Sequence, residues 1–416
     1  MSATEPQTDS PYAAARLLVT LFIMTLGASG MYVVPVVLPA VQSEFGVTRA
    51  GASLPYALLM IGFGAGGLVM GRLADRFGVV VPLLIGSVSL GAGFVIAGHA
   101  KDIGTFNAVH ALFIGFAGSS ATFSPLLADT SLWWVRRRGI AVAVCASGNY
   151  LGGALWPTIV QHFVESNGWR ETYVGMGIVV GVSMALLALF MRRRPPLTRP
   201  RSAGATEFPE SMPFGLPTRT ALGLLMLAGL SCCVAMSMPQ VHIVAYCADL
   251  GYGPARGAEM LSLMLGFGIV SRLVSGWICD RVGGLRTLLI GSALQGVALL
   301  LFLPFQGLGS LYAVSILFGL FQGGIVPSYA IIVREYFPAH RAGAFVGAVI
   351  MCTLFGMALG GWMSGQIFDL TGSYRAAFVN GLAFNLLNLS IAFFLLRRTM
   401  GPGTRGPGRP EYSAAA

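Results

Sequence analysis

The sequence predicts an all-α integral membrane protein in which twelve transmembrane helices form two pseudo-symmetric six-helix bundles. Composition, a series of apolar runs and an internal repeat predict this fold. Of the 416 residues, 55% are hydrophobic and only 10% are charged, and the mean hydropathy is +0.74. Because about 25% of the residues in a soluble domain are charged, this composition favours a chain embedded in the lipid bilayer.

The apolar runs are each long enough to cross the hydrocarbon core, which needs ~20 residues of helix. The predicted spans are 17–41, 52–71, 79–99, 104–129, 139–164, 172–191, 220–247, 257–279, 285–304, 310–335, 342–367 and 376–396. They divide the chain into an N-terminal segment 1–16, a bundle 17–191, a Pro- and Arg-rich linker 192–219, a bundle 220–398 and a tail 399–416.

Basic residues predict the orientation of these spans. Twenty of the 26 Lys and Arg residues fall on the side that holds both ends of the chain, five fall on the other side, and Arg272 lies inside a span. The positive-inside rule therefore predicts cytoplasmic termini, and without a targeting segment we expect a bacterial cytoplasmic (inner) membrane. The arginines behind the net charge of +10 lie in short loops, where they set the orientation of the spans, so no nucleic-acid partner is expected.

An internal repeat supports two equivalent halves. The stretch GRLADRFG at 71–78 recurs 205 residues later as GWICDRVG at 276–283, in each case after the second span of a bundle. Paired halves with a substrate site between them are a recurrent plan of transporters. With this loop present twice, the chain resembles a major facilitator superfamily protein over nearly its whole length.

The repeated loops carry the predicted gating residues. Asp75 and Arg76 end the second span, and Asp280 and Arg281 end the eighth. We expect each aspartate to act as a cytoplasmic latch that faces arginines across the gap between helices. The alternative is that these charges only orient the chain and cap its helices.

The junction after the fourth span narrows the family. The stretch WWVRRRGIAVAVCASG at 133–148 is similar to the signature of the monocarboxylate porters, which the oxalate–formate antiporters resemble. The resemblance implies transport of small organic anions such as lactate, pyruvate, formate or oxalate. It also implies transport by alternating access, coupled either to the symport of protons or to the exchange of anions.

Arg272 is the predicted anchor for such an anion. It lies within the apolar run 266–284, and its helix neighbours Gly268, Ser275 and Gly276 are small enough to leave space beside it. A charge in hydrocarbon usually faces a partner or a watery cavity, and a planar guanidinium binds a carboxylate through two hydrogen bonds. The alternative is that the side chain extends to the cytoplasmic surface.

The chain departs from the family pattern at several charges. Proton-coupled relatives carry an aspartate where Gly268 stands, together with a lysine and an acidic motif in the first span, and neither is present here. The exchangers carry a lysine in the eleventh span, whereas 342–367 holds no cation. A single membrane cation favours a monoanion over a dicarboxylate, and the missing acid leaves proton coupling open.

Two histidines are candidates for that coupling. His242 follows the Pro239 break in the seventh span, with Tyr246 one turn further on as a candidate substrate contact. A pKa near 6.5 suits histidine to carrying protons, and a neutral histidine hydrogen-bonded between helices is the alternative. His110 in the fourth span is the second candidate.

Four further residues lie on spans that line the pathway in this fold. Tyr32, Phe123, Asn149 and Gln322 are the candidates, with ordinary helix packing as the alternative for each. Relatives tend to carry aromatic residues at the places of Phe123 and Gln322. A glutamine there would add a hydrogen-bond donor and favour a more polar substrate.

Other functions are less well supported by the residues. No Walker-type loop, nucleophile–base set or metal cluster is visible, so we expect neither an enzyme nor a cofactor or metal. The 148–157 stretch weakly resembles the glycine–proline signature of efflux antiporters, and a ligand sensor is a third possibility. We expect the protein to act as a monomer.

Overall fold

The computed structural model describes residues 8–193, 212–338 and 341–399. Within these ranges the regular structure is helical, and twelve helices are long and apolar enough to cross a membrane. This confirms the predicted number of spans. Most of the predicted linker, the tail beyond Thr399 and the first seven residues lie outside the described ranges.

Interruptions divide three of the helices, α1, α4 and α10, into shorter segments. The twelve helices are labelled in chain order. They are α1 (Pro11–Gly27 and Ser29–Phe45), α2 (Arg49–Phe77), α3 (Val80–Gly98), α4 (Ile103–Val109, a π-helix His110–Gly118, a 3-10 turn Ser119–Thr122 and Ser124–Trp133), α5 (Arg138–Asn167), α6 (Trp169–Phe190), α7 (Thr218–Asp249), α8 (Pro254–Val282), α9 (Gly284–Leu301), α10 (Leu308–Gln322 and Ile325–Tyr336), α11 (Ala342–Thr371) and α12 (Tyr374–Thr399).

Many of these helices extend beyond the predicted apolar runs because polar residues cap them outside the hydrocarbon. The Ser10 hydroxyl accepts a hydrogen bond from the Ala13 N–H at 3.2 Å and starts α1 six residues before the apolar run. Thr48 caps α2 in the same way by accepting from the Gly51 N–H. Apolar composition therefore marks the membrane-buried part of a helix and not its ends.

Helix packing repeats between the two halves. In the first half α1 packs on α5, α2 on α4 and α3 on α6. The second half repeats this pattern six helices later, as α7 on α11, α8 on α10 and α9 on α12. The halves meet chiefly where α2 packs on α11 and where α5 packs on α8. The helices that carry the internal repeat are thus equivalent in space.

The repeated loops have the same backbone geometry. Gly78 and Gly283 have φ angles of 85° and 86°, a region that side chains disfavour. Each donates its N–H to the carbonyl of the residue four positions earlier, Ala74 and Cys279, at 2.8 Å. Glycine is therefore required at the last position of both repeats.

The halves contact each other unevenly across the membrane. We call the face where α1 begins and α12 ends the terminal face, and the opposite one the far face. At the far face, Thr158 of α5 and Ser262 of α8 share a hydrogen bond of 2.8 Å. Toward the terminal face, residues 71–77 of α2 and 342–348 of α11 are all partly or fully exposed, although these two helices pack against each other further along. The described conformation is thus closed at the far face and parted at the terminal face.

A buried ion pair stabilises the terminal end of the first half. The Arg16 guanidinium donates to both carboxylate oxygens of Asp129, at 2.9 and 3.0 Å, and to the Met191 carbonyl at 3.2 Å. The Trp133 ring lies 4.8 Å from the same guanidinium. The side chains of Arg16 and Asp129 are only 2% and 7% exposed, so the ion pair is almost fully withdrawn from solvent.

Candidate functional site

Arg272 lies between the two halves and not at a helix end. It is ten residues before the end of α8 at Val282, about 15 Å along the helix axis. Its Nη1 donates to the Ala146 carbonyl of α5 at 3.0 Å, and its Nε approaches the Gly323 carbonyl of α10 at 3.4 Å. The guanidinium is therefore held by main-chain oxygens from both halves, well inside the membrane.

The ring of Tyr150 covers one face of this guanidinium. The Arg272 Cζ lies 4.3 Å from the ring centroid, and Tyr150 is 7% exposed. Such a cation over an aromatic face is stabilised electrostatically, more so away from water. Tyr150 itself is inconspicuous in the sequence, because an aromatic residue within a span is as common at lipid as at a site.

The small residues beside Arg272 have different surroundings: one leaves open space, and another makes room for a neighbouring side chain. The prediction of open space holds at Gly276, where nothing lies within 4 Å of an added Cβ atom. At Gly268 it is wrong, because the Tyr150 ring occupies the place that a side chain would take. Gly268 therefore allows the aromatic ring of α5 to reach the guanidinium.

A pair of glycines interrupts α10 opposite this point. Gly323 and Gly324 separate the two segments of α10, and a Cβ atom at either position would collide with α8, at the Gly268 carbonyl or the Ser275 side chain. Broken helices in transporters expose main-chain groups to a central site. Here the interruption presents the Gly323 carbonyl to Arg272.

Two predicted residues of the first half join this cluster. The Tyr32 hydroxyl of α1 donates to the Asn149 side-chain oxygen of α5 at 2.9 Å. The Tyr32 ring also lies against Gly153, which is three residues beyond Tyr150 on α5. The structure thus brings together Arg272, Tyr32 and Asn149, three of the predicted site residues, around the unpredicted Tyr150.

Gln322 is paired with a glutamine that the sequence reasoning missed. The Gln240 amide of α7 donates to the Gln322 side-chain oxygen of α10 at 2.9 Å, and both side chains are buried. Among the described residues, the Gln322 amide nitrogen has no hydrogen-bond partner. Gln322 directly precedes Gly323, the residue whose carbonyl contacts Arg272.

The other predicted site residues lie elsewhere. Phe123 packs against Phe63 of α2, with ring centroids 5.9 Å apart. Tyr246 packs edge-on against Tyr374 and Phe378 of α12, near the far face. The structure shows neither of these aromatic residues beside the guanidinium.

Both candidate histidines are buried and use both ring nitrogens. His242 Nε2 lies 2.7 Å from the Gly361 carbonyl, and its Nδ1 lies 3.2 Å from the Tyr374 hydroxyl. His110 Nδ1 lies 2.8 Å from the Phe106 carbonyl, and its Nε2 lies 3.1 Å from a tyrosine hydroxyl of α6. A carbonyl can only accept, so each neutral ring donates to the carbonyl and accepts from the tyrosine.

The predicted latch residues are exposed at the terminal face. Asp75, Arg76, Asp280 and Arg281 all lie at the parted ends of α2 and α8. The two arginines cover aromatic rings of their own helices, Phe77 and Trp277. In the described parts of the chain these four residues form no ion pair, which fits an open terminal face.

The far face is closed by a cluster that the sequence did not reveal. Asp369 of α11 accepts from the backbone N–H groups of Arg49 and Ala50, both at 2.8 Å, and so caps the N-terminus of α2. The Arg49 guanidinium binds Asp249 of α7 at 3.0 Å to each carboxylate oxygen. We call Arg49, Asp249 and Asp369 the far-face clasp, since they join α2 to the second half.

Comparison with known families agrees with this architecture. The model of the Major Facilitator Superfamily matches residues 18–308 and 260–415. The chain belongs to the Major Facilitator Superfamily. It is therefore a multi-pass membrane transporter, and transporters of this superfamily are not enzymes. Within the described ranges, no group of His, Cys, Asp and Glu side chains is arranged to hold a metal ion.

The names of similar proteins indicate different substrates, or none. Monocarboxylate transporter 13 of Bos taurus is 28% identical over 79% of this chain and 76% of its own length. The uncharacterized MFS-type transporter YcxA of Bacillus subtilis is 24% identical over 79% and 82%. The agnestins efflux protein AgnL12 of Paecilomyces divaricatus is 22% identical over 79% and 74%.

Solved structures of the superfamily share the fold. A bacterial homolog of the human lysosomal transporter Spinster, in an inward-facing and occupied conformation, superposes with a TM-score of 0.73 at 15% identity. The alignment covers 94% of this chain and 98% of that one. A peptide transporter POT in complex with sulfate superposes with a TM-score of 0.70, also at 15% identity, over 92% and 94%.

Proposed function

We propose that this superfamily member transports small monocarboxylates by alternating access, with Arg272 as the anchor for the carboxylate. The observation that carries the proposal is an intramembrane guanidinium between the halves, held by two main-chain carbonyls and an aromatic face. None of these partners bears a negative charge. The similarity to monocarboxylate transporters supports the same cargo.

Charge balance favours an anionic ligand at this site. Four ion pairs are formed among the described residues, and none includes Arg272. An uncompensated charge inside a membrane protein is costly. A carboxylate that enters from the parted terminal face would compensate it. The guanidinium has five N–H donors, of which the two carbonyls engage only Nε and one hydrogen of Nη1.

The surrounding polar groups suit a short substrate with a second hydrogen-bonding group. A hydroxy or oxo group beside the carboxylate, as in lactate or pyruvate, would find partners in the Gln240–Gln322 amide pair and in the Tyr32 hydroxyl. Among the described residues that form this cluster, Arg272 is the cation, and a single positive charge favours a monoanion. Coupling by anion exchange or by proton symport would both be consistent with this arrangement.

Orientation and cellular location belong to the same proposal. The terminal face carries the excess of arginines and is the cytoplasmic face under the positive-inside rule. The halves 17–191 and 220–398 would then rock as two units within a bacterial inner membrane, and one chain would be sufficient for transport. The exposed latch residues would meet when the cytoplasmic side closes.

A ligand screen tests the cargo. Ligands that bind only the native state raise its melting temperature. Lactate, pyruvate and formate are expected to stabilise the purified protein and oxalate to do so less, and the stabilising acids are expected to exchange across proteoliposome membranes. Stabilisation by bulky apolar compounds alone would favour efflux, and binding without flux would favour a sensor.

The Tyr150 ring should set the affinity of the site. Tyr150→Leu removes the aromatic face from the guanidinium, whereas Tyr150→Phe keeps it. Because such a contact is worth about 1–2 kcal/mol away from water, the leucine variant should raise KM roughly 5- to 30-fold, and the phenylalanine variant should stay close to wild type. Radiolabelled substrate uptake measures both. Equal KM values in the two variants would contradict this role.

A further inference from the structure

The far-face clasp continues inward to a buried histidine. The Arg49 guanidinium lies over two aromatic rings, 4.7 Å from the Phe368 centroid and 5.7 Å from the Tyr374 centroid. The Tyr374 hydroxyl in turn lies 3.2 Å from Nδ1 of His242. A continuous set of contacts therefore connects the ion pair that closes the far face with an imidazole below it.

His242 is enclosed in the conformation described. Its exposed fraction is 0%, although the terminal face is parted. Its ring is held by the Gly361 carbonyl of α11 on one side and by Tyr374 of α12 on the other. Water therefore does not reach the ring in this conformation.

The groups around His242 determine how a proton would act there. The titratable and charged side chains near the ring are Tyr246 and Asp249 on α7, Tyr374 on α12, Asp369 on α11, and Arg49 and Tyr56 on α2. Both carboxylates are already engaged by Arg49, one by its guanidinium and the other by its backbone N–H. Neither carboxylate is hydrogen-bonded to His242, whose ring nitrogens face Gly361 and Tyr374, so a protonated ring would gain no direct ion pair in this state.

Protonation also conflicts with the hydrogen bonds of the closed state. The neutral ring donates from Nε2 to the Gly361 carbonyl and accepts at Nδ1 from the Tyr374 hydroxyl. A proton on Nδ1 would convert this acceptor into a donor. The Tyr374 hydroxyl would have to reverse, beneath the guanidinium of Arg49. The closed far face therefore binds the proton less well than an open, hydrated one.

We propose that His242 is the proton-binding element of a pH-sensitive far-face gate in which Arg49, Asp249 and Asp369 form the lock. Acid on the far side shifts the population toward the far-face-open state, because that state binds the proton better. The proton enters from the far side and returns there on closure, so His242 senses pH and does not carry protons across. The proposal rests on the alternating access of the proposed function, but not on its cargo.

Distance measurements between spin labels test the gate without any substrate. Labels are placed at Ser43→Cys on α1 and Leu370→Cys on α11, two exposed far-face positions in opposite halves. Cys352, the native cysteine that is not buried, is replaced by alanine. Between pH 7.5 and 5.0 the fraction of long distances is expected to rise several-fold. His242→Gln should abolish this rise, and its persistence in that variant would overturn the proposal.

His110→Gln is the matched control. His110 is equally buried and is likewise bonded to a carbonyl and to a tyrosine hydroxyl, that of Tyr173, but it lies apart from the clasp within the first half. Its variant should keep the pH-dependent opening in full. Loss of opening in both histidine variants would show a general destabilisation and would contradict a specific gate.

Tyr374→Phe tests the direction of the effect with a milder change. The neutral ring loses the donor to Nδ1, so opening should occur at a pH higher by roughly 0.5 to 1 unit, as expected for one hydrogen bond. An unchanged midpoint would overturn the proposal even if His242→Gln failed to fold. Normal gating with no carboxylate flux would refute the proposed cargo alone.

Discussion

Replacing Arg272 by glutamine is expected to reduce carboxylate uptake at least ~30-fold while leaving the protein folded. Truncating one partner of a buried, hydrogen-bonded charge pair costs about 2–5 kcal/mol, and each 1.4 kcal/mol is a factor of ten. Arg272→Lys should fail as well, because an ammonium cannot keep the contacts to Ala146 and Gly323 and still offer a planar fork to a carboxylate. Initial uptake rates in proteoliposomes measure the loss.

A second arginine of the same helix provides the control. Arg256 lies near the far end of α8, exposed, and pairs with Glu259 one turn away. Arg256→Gln should leave uptake and carboxylate-induced thermal stabilisation unchanged. Both readouts should be lost together in Arg272→Gln. Normal uptake by that variant would refute the role of Arg272 as the anion anchor.

The twelve spans and their repeat could be predicted from the sequence, because each depends on local properties. A run of ~20 apolar residues is required by the thickness of the bilayer. The loops ending at Gly78 and Gly283 are recognisable since their positive φ angles restrict the residue type. Helix ends were less predictable, because caps such as Ser10 lie outside the apolar runs.

The candidate site was predictable only in its charged part. Arg272 is conspicuous because a charge in an apolar span is costly. Tyr150 and Gln240 were missed because neither residue type is unusual within a helix, and their partners lie 122 and 82 positions away. The signal for Tyr150 was present only in Gly268, whose missing side chain makes room for the ring.

The far-face clasp was missed for a related reason. Arg49, Asp249 and Asp369 each stand at the end of a helix, where charges are ordinary. Their separations of 200 and 320 positions follow no spacing rule. Only the packing of α2 against α11, which also brings Arg49 to the end of α7, places them together. For the same reason the sequence could not tell that His242 lies beneath this clasp.

Arg272 and the far-face clasp join the two halves at different depths in the membrane. The clasp joins the halves at the far face through charges that water can reach once they separate. Arg272 joins them further in, through the Ala146 carbonyl, which is the acceptor that an incoming carboxylate would compete with. Under the proposed function, substrate binding and movement of the halves would involve the same guanidinium.

The proposed rocking would require each half to move as a unit, and the Arg16–Asp129 pair connects helices within the first half. The pair joins α1 to α4, and the bond to Met191 extends it to the end of α6. Asp129→Asn is expected to reduce the free energy of unfolding by about 3–5 kcal/mol, because it leaves Arg16 buried without its counter-charge. Arg16→Gln should have a similar effect.

Melting temperatures in detergent and unfolding by sodium dodecyl sulfate titration measure this loss. The double variant Arg16→Gln/Asp129→Asn should be less destabilised than the sum of the single variants, since no unpaired charge is left behind. The exposed Arg256→Gln variant should melt like the wild type. If the single variants also melted like the wild type, the first half would be held by apolar packing alone, and a rigid-body movement would need another explanation than this ion pair.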